Sequence, residues 1–210
     1  MMARRNRPNP REERSLRRIS STRIVKQSFL IVCEGENTEP DYFNAFRLTS
    51  ANVKAVGQGI NTIRLVQKAI SIKEEEKRKG NRFDQYWVVF DKDDFPNNDF
   101  NNAIVLAQKN GFMVAYSNQA FELWFLLHFC LIQGPMHRNL YEEKLNTYLN
   151  FVYSKVKGMG TQMYNALQVK QAEAIKNSTI ILQNMEGISP AQAESSTTVH
   201  LLVEELNKYL

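Results

Sequence analysis

Short apolar segments alternate with longer amphipathic ones along residues 27–133. Four of the apolar segments have the length and the β-branched composition of buried strands, and each is followed by turn-forming residues. They are SFLIVC, directly before Glu34-Gly35, then NVKAV at 52–56, YWVVFD at 86–91 and FMVAYS at 112–117.

Segments with helical spacing follow each predicted strand. They are NTEPDYFNAFRL, a helix over 61–79, a helix over 99–109 and the strongly apolar QAFELWFLLHFCLI. Thr38 is the expected N-cap of the first, with Asp41 completing a capping pattern. This alternation predicts an α/β fold with a mostly parallel four-stranded sheet flanked by helices.

The chain from about residue 140 onward has helical spacing. The segments are YEEKLNTYLNFV, TQMYNALQVKQAEAIKNSTIIL and TTVHLLVEELNKYL, with a loop predicted over 189–196. In the last segment, Val199, Leu202, Val203 and Leu206 form one apolar face. We therefore predict a core over 27–135 and a helical C-terminal extension over 136–210 that packs on the core, with a separate helical domain as the alternative.

Composition is that of a globular protein. Of 210 residues, 43% are hydrophobic and 23% are charged, and no apolar run approaches the ~20 residues of a membrane helix. No signal-peptide pattern follows the basic N-terminus. Cys33 and Cys130 lie in apolar segments without a CxxC pair, which is typical of thiols in a reducing compartment. We expect a cytoplasmic protein.

Positive charge is concentrated in residues 1–26, which carry nine Lys/Arg against two Glu. We predict that this basic tail, which includes Arg17 and Arg18, is disordered. Two interpretations remain open for its role: a solvated arm, or an arm that binds nucleic-acid phosphates without sequence preference. The two are compatible, because such arms often become ordered only on binding.

Carboxylates stand at the ends of the predicted strands. Glu34 follows the first strand, Asp91 and Asp93 follow the third, and Glu122 begins the helix after the fourth. In parallel α/β sheets the functional site lies at the carboxyl ends of the strands, so these side chains are expected to converge there. Crowded carboxylates repel one another and favour a cation, and oxygen ligands without a His/Cys set favour Mg²⁺ or Mn²⁺.

Each of these carboxylates, taken alone, is also explained as a helix cap or a turn residue. In an extended segment Asp91 and Asp93 point the same way, so Asp94 is the weaker candidate. Glu36 and Glu39 remain ambiguous, because Glu36 suits a surface and Glu39 suits a helix start.

Lysines near the predicted site are candidates for phosphate contact. Lys92 lies between the aspartates, and Lys155 and Lys157 lie in VYSKVKGMG, where a solvated loop is the alternative. His128 lies six residues after Glu122 on the predicted helix and so points away from it, which favours a structural or surface role. The sequence has no GxxxxGK[ST] loop, so any ATP hydrolysis must come from a partner.

Four longer motifs sharpen this interpretation. They are IVCEGENTEPDYFNAF, VVFDKDDF, SNQAFELWFLLHF and STTVHLLVEEL, in this order. The strand-Glu-Gly and strand-Asp-x-Asp pair resembles the Toprim pattern of topoisomerases, primases and OLD-type nucleases. Together the four motifs resemble the RloB-like family, small Toprim proteins of prokaryotic restriction and phage-defence loci, over roughly residues 25–210.

This resemblance implies a Toprim-like core and a metal-dependent nuclease that acts on tRNA, other RNA or DNA. It maps the family's acidic residues to Glu34, Asp91, Asp93 and Glu122. It also implies an ABC/AAA-type ATPase partner that controls the nuclease during phage infection. The chain lacks the active-site tyrosine domain of topoisomerases, so strand passage is not expected.

Two hypotheses for function remain. The first is a Mg²⁺- or Mn²⁺-dependent endonuclease, and the second is a non-catalytic module that binds Mg²⁺ with a nucleotide or RNA and signals to the ATPase. The substrate, the number of metals and the oligomeric state, including a homo-oligomer, are left open by the sequence.

Overall fold

The structure, a computed structural model, describes residues 27–60 and 62–210. The basic tail of residues 1–26, with Arg17 and Arg18, lies outside the described residues. Predictions about its disorder and its binding to nucleic acid therefore remain predictions.

A four-stranded sheet forms the centre of the fold. Its strands are β1 (Gln27–Cys33), β2 (Ala51–Gly57), β3 (Gln85–Asp91) and β4 (Met113–Ser117). They are arranged in the order β2-β1-β3-β4, and every neighbouring pair is parallel. The predicted α/β class with a parallel, Toprim-like sheet is confirmed, and the sheet is wholly parallel.

Helices cover both faces of this sheet. They include α1 (Thr38–Asn44), α2 (Thr62–Arg78), α3 (Asn97–Lys109) and α4 (Glu122–Leu126). Side chains alternate along β1, so Leu30 packs with α2 and α3 while Phe29 and Ile31 belong to the core of the opposite face. The two apolar cores account for the near-continuous apolar sequence of the strands.

The apolar segment after β4 differs from the predicted long helix. Its helix ends at Leu126, and the backbone continues in tight turns, with His128 N–H donating to the Phe125 carbonyl and Phe129 N–H to the Leu126 carbonyl. Residues 120–128 are all buried, so no polar face marked where the helix ends. His128 lies in the core, with Nδ1 2.9 Å from the Trp124 carbonyl oxygen.

The C-terminal helices pack against the sheet and α1. They are α5 (Tyr141–Tyr148), α6 (Met159–Leu167), α7 (Gln171–Asn184) and α8 (Val199–Asn207), and a short 3₁₀ turn covers Arg138–Leu140. Leu145, Met163 and Leu202 share one apolar core with Phe29 of β1. The extension is thus continuous with the core of the sheet.

Helices α1 and α6 cross closely at one glycine. A Cβ built on Gly160 would lie 2.0 Å from the Thr38 carbonyl oxygen. The Gly158 N–H donates to the Asp41 carboxylate beside this crossing. Together these contacts fix the loop before α6 against the start of α1.

None of the helices within the described residues is both long enough and apolar enough to span a membrane.

Candidate active site

The ends of β1 and β3 lie side by side. Cys33 pairs with Val89 in the parallel register, and the Glu34 N–H donates to the Val89 carbonyl at 2.9 Å. The Asp91 N–H in turn donates to Glu34 Oε2 at 3.0 Å. Parallel pairing therefore brings Glu34 and Asp91 together although 57 positions separate them.

The start of α4 completes this arrangement. Asp91 Oδ2 accepts a hydrogen bond of 3.0 Å from the Phe121 N–H, which places the next residue, Glu122, beside it. Glu122 is buried; its Oε1 accepts a hydrogen bond of 2.6 Å from the Tyr153 hydroxyl and lies 2.9 Å from Lys155 Nζ. The extension thus supplies two direct partners of Glu122.

These side chains line a cleft of about 220 Å³ at the carboxyl edge of the sheet, which we call the acidic cleft. All four carboxylates predicted from the sequence lie there. Among the described residues, the carboxylates and the lysine that line it are Glu34, Glu36, Glu39, Asp91, Asp93, Glu122 and Lys155.

Glu39 is a member of the cleft that sequence analysis left ambiguous. It is only 7% exposed, although it occupies the first turn of α1. A Cβ built on Gly35 would lie 2.0 Å from Glu39 Oε2, so glycine at position 35 leaves room for this carboxylate. The Glu-Gly pair after β1 is therefore the sequence signal that could have identified Glu39, because a glycine there can mark the close approach of another group as well as a turn.

Burial, with mutual repulsion added, raises the pKa values of Glu34, Glu39 and Asp91. Burial raises the pKa of Glu34 from 4.5 to about 7; the charges of Asp93 and Glu39 add to this shift, and the Asp91 hydrogen bond opposes it. Burial and the charge of Glu122 likewise raise the pKa of Glu39 to about 7. Burial and then the charges of Glu39, Glu34 and Glu122 raise the pKa of Asp91 well above its usual value.

Asp93 is bound by an arginine that sequence analysis missed. Arg138 Nη1 contacts Asp93 Oδ1, and Arg138 Nη2 contacts Asp94 Oδ2. Burial raises the pKa of Asp93, while the charges of Arg138 and Lys155 oppose that shift. Asp93 has a left-handed backbone (φ 46°), so the simple strand alternation used to orient it ends at Asp91.

The donor set of the cleft is suited to a hard divalent cation. The candidate ligands are carboxylate oxygens, and burial together with mutual repulsion leaves them short of positive charge. Within the described residues, however, no three acidic, His or Cys side chains converge as ligands of one ion. A protein donor already engages one oxygen of each of the four carboxylates Glu34, Asp91, Asp93 and Glu122. The residues fit such an ion chemically, and some of the side chains must reorient so that their oxygens converge on it.

The three candidate lysines have different positions. Lys155 lies in the acidic cleft, with its side chain 64% exposed. Lys92 Nζ donates to the Phe95 carbonyl at 3.4 Å and does not line the cleft. Lys157 is exposed in the loop before α6 and also lies outside the cleft lining.

The sequence matches the family model described as RloB-like protein over residues 29–206. That match covers the sheet, the acidic cleft and most of the extension. No curated protein matches the chain.

Proposed function

The chain belongs to the RloB-like family, and from this premise we propose that it is a Mg²⁺- or Mn²⁺-dependent nuclease that hydrolyses phosphodiester bonds in nucleic acid, with RNA, including tRNA, as the favoured substrate. One observation carries the proposal. Half-buried carboxylates from the ends of β1 and β3 share one cleft with a buried carboxylate from the start of α4, and desolvation, with mutual repulsion added, has raised the pKa values of Glu34 and Asp91. Such clusters are typical of functional sites.

Asp91, Glu122, Glu34 and, once separated from Arg138, Asp93 would hold the cation. When bound, Mg²⁺ or Mn²⁺ would neutralise charge on a phosphodiester and lower the pKa of water. Glu34 has one engaged oxygen, Oε2. Burial raises the pKa of Glu34 to about 7 in the absence of a cation, and a cation bound to this carboxylate would lower that pKa. Glu34 would therefore either complete the metal site or remain off the metal as the general base for water.

Lys155 would contribute positive charge. Burial alone would lower the pKa of Lys155, but the charges of Glu122, Asp91 and Glu39 raise it above its usual value. Lys155 therefore stays protonated, which suits electrostatic stabilisation of a phosphate and excludes a role as a base at neutral pH.

The wider role follows the family resemblance. We propose that the protein acts in prokaryotic anti-phage defence and is controlled by an ABC/AAA-type ATPase. The basic tail of residues 1–26 would add affinity for nucleic-acid backbone.

A non-catalytic binding module is the second candidate, and the state of the ligand oxygens favours it. Arg138, Tyr153 and Lys155 all engage carboxylates that a catalytic metal would need. A module that binds Mg²⁺ with a nucleotide or RNA and signals to a partner needs those oxygens to be released once, on binding, and not in every catalytic cycle.

Cleavage assays with purified protein distinguish these functions. Total tRNA and plasmid DNA are incubated with Mg²⁺ or Mn²⁺ and with wild type, Asp91→Asn, Glu34→Gln or the control Glu75→Gln, which lies on the exposed surface of α2. For a nuclease, we expect the two cleft variants to lose about a hundredfold or more in rate and Glu75→Gln to match wild type. RNA binding without cleavage, across both metals and with the ATPase present, would favour the binding module.

A further inference from the structure

Arg138 lies beside the acidic cleft, where it contacts Asp93, and hydrogen bonds of the surrounding backbone hold it there. Its N–H donates to Gln119 Oε1 at 3.4 Å. Nearby, the hydroxyl of buried Tyr141 donates to the Met136 carbonyl at 3.0 Å, and the Met136 N–H donates to Ser195 Oγ at 2.9 Å. The backbone of Arg138 is therefore fixed, while its long side chain reaches towards the carboxylates of Asp93 and Asp94.

The guanidinium binds two carboxylates at once, and neither contact is deeply buried. The side chains of Arg138, Asp93 and Asp94 are 28%, 38% and 79% exposed. Ion pairs in such partly exposed positions contribute little to stability because water solvates the separated charges well. Arg138 can therefore exchange one anionic partner for another at a small cost in free energy.

A second cleft opens beside Arg138. It has a volume of about 380 Å³ and shares Glu122 and Lys155 with the acidic cleft. Arg138 and Lys155 both line this side cleft. Two cations thus line this side cleft beside the carboxylates Glu122 and Glu142, next to the acidic cleft.

The ion pair between Arg138 and Asp93 hinders metal binding by Asp93. An Asp93 oxygen that accepts from a guanidinium is not free to coordinate a cation, and the guanidinium charge repels the ion. A phosphate group also offers two oxygen acceptors, and arginine commonly binds phosphate through two N–H groups.

We propose that Arg138 is a phosphate-binding residue that pairs with Asp93 and Asp94 in the substrate-free protein, and that its transfer to a nucleic-acid phosphate frees Asp93 as a metal ligand. This inference rests on the proposed function. Nucleic acid and metal then bind cooperatively, since each removes an obstacle to the other. The metal site is complete only when substrate is present.

Two binding measurements, neither of which depends on turnover, test the proposal. Mn²⁺ affinity is measured by calorimetry without RNA, and the affinity for a single-stranded RNA oligonucleotide is measured in EDTA over a range of salt concentrations. The proteins are wild type, Arg138→Gln, Arg138→Lys and Arg82→Gln. Arg82 is an exposed arginine just before β3, at the opposite edge of the sheet, and gives the same change in charge.

Arg138→Gln should bind Mn²⁺ about five- to tenfold more tightly than wild type, because Asp93 loses its competing cation. It should bind RNA more weakly, and the slope of log affinity against log salt should shrink by about 0.7 for one lost phosphate contact. Arg138→Lys should retain most of the salt slope, and Arg82→Gln should match wild type in both measurements.

The proposal is overturned if Arg138→Gln and Arg82→Gln behave alike, or if Arg138→Gln weakens Mn²⁺ binding with RNA affinity unchanged, as a purely structural arginine would. Failure of the proposed function is distinguishable. In that case neither wild type nor Arg138→Gln binds Mn²⁺, or the binding is unchanged by Asp91→Asn. Should Arg138→Gln fail to fold, Mn²⁺ binding by Arg138→Lys decides instead. Lysine cannot hold Asp93 and Asp94 together, so tighter Mn²⁺ binding than wild type supports the proposal, and unchanged binding overturns it.

Discussion

The backbone N–H of Asp91 donates a hydrogen bond of 3.0 Å to the carboxylate of Glu34. The last residue of β3 therefore holds the residue that follows β1, and the carboxylate of Asp91 is held in turn by the Phe121 N–H at 3.0 Å. Backbone donors position both acids before any cation binds. Such fixed positions favour a functional cluster over independent turn residues.

Stability without metal should fall as pH rises from about 5 to 8. The folded-state pKa values of Glu34 and Glu39, about 7, lie above the usual 4.5. Between these values the folded protein binds more protons than the unfolded chain, so this contribution is present at low pH and is lost as pH rises through about 7. Thermal unfolding in EDTA measures the trend. The decline should be shallower in Glu39→Gln, and an equally steep decline would contradict the assignment.

Mg²⁺ or Mn²⁺ should raise Tm more at pH 8 than at pH 5.5. At the higher pH the carboxylates are ionised and repel one another, so a bound cation relieves more repulsion. A free ion concentration of 100 times Kd stabilises the folded state by about 2.7 kcal/mol. Thermal unfolding with and without metal at both pH values checks this. A metal-induced shift that is the same in wild type and Asp91→Asn would place the ion elsewhere.

Asp91→Asn should stabilise the metal-free protein at pH 8 by about 1–2 kcal/mol, within the range that single stabilising substitutions commonly give. The amide oxygen of asparagine can still accept from the Phe121 N–H, while the charge that Glu39, Glu34 and Glu122 repel is gone. Denaturant unfolding in EDTA measures the change, with Asp99→Asn on the exposed start of α3 as the control. Destabilisation of the cleft variant alone would show that the charge has a structural role.

Gly35→Ala should destabilise the fold and displace Glu39. The added Cβ would lie 2.0 Å from Glu39 Oε2, and overpacking of this kind typically costs about 1–3 kcal/mol. A double-mutant cycle with Glu39→Ala tests the cause, because Gly35→Ala should cost much less once that carboxylate is absent. Additive effects would mean that alanine at position 35 acts through some other contact.

Tyr153→Phe should lower the free energy of unfolding by about 1–3 kcal/mol, because it leaves a buried Glu122 oxygen without its hydroxyl donor. Tyr148→Phe is the matched control, since Tyr148 is 43% exposed. Chemical denaturation of both variants measures the difference. Equal stabilities would mean that Lys155 alone satisfies Glu122.

The sheet, Glu34 and Asp91 could be predicted because short stretches of sequence are enough to identify the strands that these two acids follow or end. Short, near-continuous apolar segments rich in β-branched and aromatic residues locate β1 and β3, and the geometry of parallel sheets then places Glu34 and Asp91 at one edge. The same reasoning failed for the apolar segment after β4, where burial on every side removed the polar face that marks a helix.

Other members of the site depend on contacts between distant segments. Arg138 reaches Asp93 across 45 positions, and Tyr153 reaches Glu122 across 31. Neither residue lies in a segment with a periodic pattern or a recognised motif. Their roles follow from how the extension packs on the core, which the spacing within a single sequence does not encode.

The close crossing of α1 and α6 at Gly160 has a consequence for how this family can diversify. Because that crossing anchors the segment that carries Tyr153 and Lys155, the C-terminal extension contributes Lys155 to one wall of the cleft, while residues at the ends of the strands form its floor. Evolution can then alter the wall and leave the acidic floor intact. A chimera that joins this sheet to the helices of a relative should inherit target preference from the donor of the helices.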